Sequence, residues 1–84
     1  MTKFAAHINV MPRAEISDPQ GQTVERTLPS IGFDGISQVR VGKRITLTVD
    51  APDEESARTI VASASEKILA NPVIEDYELE LTPL

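Results

Sequence analysis

The chain has 84 residues, no cysteine, 40% hydrophobic and 4% aromatic residues, and a formal net charge of −5. This length holds one domain, residues 1–84, whose core is modest because a chain of this size buries only somewhat over 60% of its unfolded surface. The composition excludes disulfides and thiolate metal sites, the acidic balance argues against nucleic-acid binding, and no apolar run is long enough to span a membrane.

In chain order, Phe4, Ala6, Ile8 and Val10 alternate with Ala5, His7, Asn9 and Met11. That is the period of a half-buried strand, and Pro12 ends it. Asp18 followed by Pro19 predicts a helix start: a carboxylate for the orphan N–H groups, then proline at the first helical position. Val24, Leu28 and Ile31 form one apolar stripe, Pro29 ends or kinks the helix, and Gly32 caps it. Ile36–Val41 and Arg44–Ala51 read as two strands of a hairpin turning at Gly42-Lys43. Asp53 to Ala70 reads as a second helix, with Ala57, Ile60, Val61, Ala64 and Ile68 on one face and an acidic first turn. Asn71-Pro72 stops it. Tyr77, Leu79 and Leu81 then alternate with Asp76, Glu78 and Glu80 in a last strand.

The order β-α-β-β-α-β predicts an α+β fold. Its economical form is a two-layer ferredoxin-like sandwich, a four-stranded antiparallel sheet with two helices on one face. The other face carries His7, Asn9, Gln38, Arg40, Thr46, Thr48, Glu78 and Glu80, polar and mixed in sign. Two exposed strand edges and a small unstapled core predict self-association, as a dimer or higher. No charged-then-apolar leader pattern opens the sequence, and a cytoplasmic location is expected.

Catalytic chemistry finds little footing. Gly21 is a single glycine in a helix's first turn, and Asp18 already occupies the positive end where a phosphate would sit. "VGKR" (41–44) has a Gly-Lys pair without the glycine spacing or the following Ser or Thr of a phosphate loop. His7 is the one histidine and has no nucleophile beside it, although Glu78 and Glu80 fall on a neighbouring strand. Asp76, Glu78 and Glu80, spaced by two, make a solvated strand face rather than a metal cluster. No catalytic, cofactor-binding or metal-ligating residue is therefore assigned. Arg40, Lys43 and Arg44, around Gly42, gather three of the eight basic residues at one hairpin tip. They are either solubilising charge or a contact for a partner.

Three blocks, "ISDPQGQTVERTLPSIGF" (16–33), "VRVGKRITLTVD" (39–50) and "ILANPVIEDYELE" (68–80), resemble the small PurS-type subunit of phosphoribosylformylglycinamidine synthase. They follow in the family's order and cover most of the chain. Pro29 within the first helix and the serines along the second depart from the pattern without touching its fingerprint positions, and Pro29 leaves the end of the first helix open. The resemblance implies a non-catalytic subunit of the fourth step of de novo purine synthesis. In that step formylglycinamide ribonucleotide, glutamine, ATP and water give formylglycinamidine ribonucleotide, glutamate, ADP and phosphate. A PurQ-type glutaminase subunit would release ammonia, and a large PurL-type subunit would hold ATP and magnesium. This chain would join them and support ammonia transfer, with Arg40, Gly42, Lys43 and Arg44 as the candidate partner interface. The alternative is a dimeric ferredoxin-like module that senses a small molecule.

Overall fold

The computed structural model describes residues 1–84. Strand β1 spans Thr2–Pro12, helix α1 Pro19–Thr27, strand β2 Lys43–Ala51, helix α2 Glu54–Ala64 and strand β3 Glu75–Pro83. A 3-10 turn, Leu28–Ile31, follows α1, and a π-helical turn, Ser65–Leu69, follows α2.

The alternation in β1 does what its period requires. Phe4, Ala6, Ile8 and Val10 are buried, while Ala5, His7 and Asn9 on the opposite face are half-buried. β1 is the central strand, paired antiparallel with β2 from Thr2↔Ala51 to Val10↔Lys43 and with β3 from Phe4↔Pro83 to Pro12↔Glu75. These registers stack Ile8 between Ile45 and Leu79, and Ala6 between Leu47 and Leu81, all on one face. Helix α2 packs on that face across all three strands and contributes Ala57 and Val61 to the core.

Asp53 starts α2, its carboxylate accepting the Ser56 N–H at 2.7 Å. That interaction holds the Asp53 carboxyl below its usual pKa. The apolar stripe expected through Ile68 does not persist. Ile60, 49% exposed, already lies off the buried row of Ala57, Val61 and Ser65, and past the π-helical turn Ile68 is 80% exposed while Ala70 turns inward. Buried Ser65 satisfies its hydroxyl by donating to the Val61 carbonyl at 2.8 Å. On β3, the Tyr77 hydroxyl reaches the Glu66 carboxylate of the same turn at 3.3 Å. Burial first, and then the nearby Glu66 charge, raise the Tyr77 pKa.

The four-stranded sheet is corrected to three strands in the order β2-β1-β3. Residues 36–41 form no strand, and Gly42-Lys43 is not a hairpin turn. Two physical reasons account for this. Gly35 and Gln38 have φ of +85° and +58°, which breaks the extended path on which a ladder depends. The N–H groups that would bond a neighbouring strand are also taken by side chains: Val39 donates to Glu25 at 2.9 Å and Val41 to Asp18 at 2.8 Å. The strands that remain keep the order of a ferredoxin-like sheet lacking one edge strand.

Helix α1 does not share the core face with α2. It packs on no strand to a comparable extent, and its one buried residue is Gly21. Val24 is 41% and Ile31 63% exposed. The radius of gyration is 16.5 Å, against about 12 Å for a compact domain of this length, with extents of 52 × 26 × 14 Å.

The burial pattern predicts a contrast along the apolar positions. Ile8→Ala, at a fully buried site, is expected to lower stability by roughly 2–5 kcal/mol. Ile68→Ala is expected to change it by less than about 0.5 kcal/mol. Urea unfolding followed by circular dichroism measures both.

Candidate functional site

The basic cluster divides in the structure. Lys43 and Arg44 open β2, and both are exposed. Arg44 donates to the Asn9 side chain at 3.3 Å on the sheet's outer face, and Lys43 makes no ion pair. Gly42 sits where a Cβ would meet the Val10 carbonyl oxygen and the Met11 sulfur, so only glycine lets the chain pass this close to the end of β1.

Arg40 turns inward instead. Its guanidinium donates to the carbonyls of Pro12 at 3.1 Å, Arg13 at 2.8 Å and Ala14 at 3.3 Å. Its Nε lies 3.7 Å from the Asp18 carboxylate. The fork of N–H groups suits this, since one planar cation can gather several carbonyls of a turning chain.

Asp18 lies at the centre. One carboxylate oxygen caps α1 by accepting the Gly21 N–H at 3.1 Å, and the other accepts the Val41 N–H at 2.8 Å. The residue is 8% exposed. The Val41 and Gly21 N–H groups, helped by the Arg40 charge, lower its pKa against the opposing effect of burial. Gly21 is therefore part of a capped helix start. A Cβ there would run into the Asp18 carboxylate and would lie 2.6 Å from the Val39 carbonyl oxygen. Asp18, Glu25, Gln38 and Arg40 border an open groove of about 640 Å³.

Across the outer face, His7 stands opposite Thr46 and Glu80 but bonds neither, and its Nδ1 has no partner. Asp76 is drawn away from Glu78 and Glu80 to the Arg13 Nε, 3.4 Å distant. Sequence reasoning missed the second role of Asp18 and the whole role of Glu25. One signal was present: a glycine in a helix's first turn marks close approach of another segment.

The lowered Asp18 pKa has a definite sign. A carboxyl depressed in the folded state contributes stability that is complete above its unfolded pKa, about 3.9, and is lost as pH falls through the folded value. Asp18→Asn is expected to weaken the protein at pH 7 and to flatten part of this acid limb, the part due to Asp53 remaining. Urea midpoints measured from pH 7 down to pH 2.5 test it. Arg40→Ala should lower stability by roughly 1–2 kcal/mol through its lost charge-assisted bonds. Lys43→Ala should change it by less than about 0.5 kcal/mol.

Comparison with known proteins adds the family. Residues 5–83 match the family model described as PurS: Phosphoribosylformylglycinamidine (FGAM) synthase. The chain is 43% identical over 81 residues to the PurS subunit of Synechocystis sp., spanning 96% of this chain and 81% of that one. It is 46% identical over 74 residues to the PurS subunit of Mycobacterium leprae, spanning 88% and 90%. Among solved structures, a chain of PurLQS from Thermotoga maritima superposes with a TM-score of 0.89 at 39% identity, covering 98% of this chain and all of that one. Bacillus subtilis PurS superposes with a TM-score of 0.85 at 33% identity, covering 94% and 98%. By sequence over nearly its whole length and by its three-stranded fold, the chain belongs to the PurS family of FGAM synthase subunits.

Proposed function

We propose that this chain joins the synthetase and glutaminase subunits of FGAM synthase and supports ammonia transfer between them, leaving the chemistry to its partners. The observation that carries this reading is its likeness, over 98% of its length, to a chain of the Thermotoga PurLQS assembly. ATP and magnesium are assigned to the large subunit and the glutaminase nucleophile to the other. No helix here is long and apolar enough to cross a membrane; the cytoplasm, where purine synthesis would use it, is the proposed location.

Lys43 and Arg44 are the proposed rim contacts. They are exposed and follow a backbone position that Gly42 holds against β1. Arg40 serves this surface indirectly, by fixing the chain that leads into it. Charges at an interface rim set encounter rate and register, and salt weakens their effect.

Co-purification with the two large subunits tests the reading, together with turnover driven by glutamine and by ammonia. The three chains are expected to comigrate, with glutamine-dependent turnover requiring this one. Lys43→Glu and Arg44→Glu should weaken assembly at low salt and reduce glutamine-dependent more than ammonia-dependent turnover. A purified chain that fails to comigrate with either subunit would overturn the reading.

A further inference from the structure

The nine residues of the buried core are Phe4, Ala6, Ile8, Val10, Val49, Ala51, Ala57, Val61 and Ala70. None lies between residues 13 and 42. That stretch leaves the sheet at the end of β1, builds α1 and the 3-10 turn, and returns along 35–42 to begin β2. Its apolar side chains are mostly outside: Val24, Ile31, Phe33 and Ile36 are all more than 40% exposed.

Polar contacts hold it together instead. Glu25 of α1 binds the Val39 N–H, Asp18 binds Val41 and Gly21, and Arg40 binds the carbonyls of residues 12–14. Asp18 stands apart among these groups, because one carboxylate both starts the helix and ends the returning strap. Segments with few buried apolar contacts open at a fraction of the global unfolding free energy. Here the opening exposes little apolar surface, while the sheet and α2 keep their own core.

We propose that residues 13–42 are an arm that opens as one cooperative unit, independently of the sheet and α2, with Asp18 as its latch. Helix α1 and the strap open together because the same carboxylate ties both. The closed arm seats the chain at Gly42 against the end of β1, so its opening releases the backbone that leads into Lys43 and Arg44.

Amide hydrogen exchange on the full chain at pH 7, resolved by segment, tests the latch. In the wild type, amides of residues 22–28 and 39–41 are expected to exchange at least tenfold faster than those of the β1–β2 and β1–β3 ladders. Asp18→Asn should speed both arm segments together by about tenfold or more, whereas Ile8→Val, in the core of the sheet, should speed the ladders and leave both arm segments within twofold. Glu25→Gln, which weakens a bond between the same two segments, should also speed 22–28 and 39–41 together. If Asp18→Asn speeds one segment alone, or Ile8→Val speeds the arm as much as the ladders, the proposal falls. It falls equally if wild-type arm exchange matches that of the ladders. Arm protection that rises with protein concentration would assign the closure to another copy of the chain and overturn the latch.

Discussion

Because β1 is hydrogen-bonded along both edges, the rest of the molecule is arranged around that single strand. Its inward residues are fully or almost fully buried, and each is flanked by a residue of β2, of β3 or of both. A one-residue slip on either side would turn a whole apolar row to solvent, so burial specifies both registers. Helix α2 completes this layer with Ala57 and Val61 packed into the core. One helix on three strands covers them incompletely. Ile45, Leu47, Leu79 and Leu81 remain half-buried on the core face.

Against this apolar layer, residues 13–42 follow different physics. Their contacts are two carboxylates, which accept N–H groups that a strand ladder would have satisfied, and a guanidinium, which gathers the carbonyls of the chain leaving β1. Buried or half-buried backbone N–H groups need acceptors, and side chains of α1 provide them here where a ladder does not. The elongated shape follows from this division. A subunit built so leaves both strand edges and an apolar helix face open to contact, which agrees with a PurS chain's place within a larger synthase.

Much was legible in the sequence where local pattern and tertiary burial agree. The period-two runs of β1, β2 and β3 and the Asp-Pro and Asp53 helix starts depend on short-range rules, and all of them form. The hairpin was misread because "ISQVRV" (36–41) has strand-like residues, while its path is decided by positive φ at Gly35 and Gln38 and by acceptors over ten residues away. Ile68 was misplaced for a related reason: a straight 3.6-residue period cannot foresee a π-helical turn. Among the basic residues, composition grouped Arg40 with Lys43 and Arg44. Only the fold shows that Arg40 points at carbonyls of the chain leaving β1.

By itself, then, the sequence determined the elements that local chemistry specifies. These are three alternating strands, two capped helices, a core drawn mainly from apolar positions of β1 and the second helix, and three blocks that carry the family. Tertiary structure alone decided which strands pair, that the fourth is absent, and that α1 stands off the sheet. It also decided that Asp18 serves two segments at once. The physical reason is range: periodicity and capping act within a few residues, whereas the Asp18–Val41 and Glu25–Val39 bonds join groups 23 and 14 residues apart. Their formation depends on where the whole chain has already been folded.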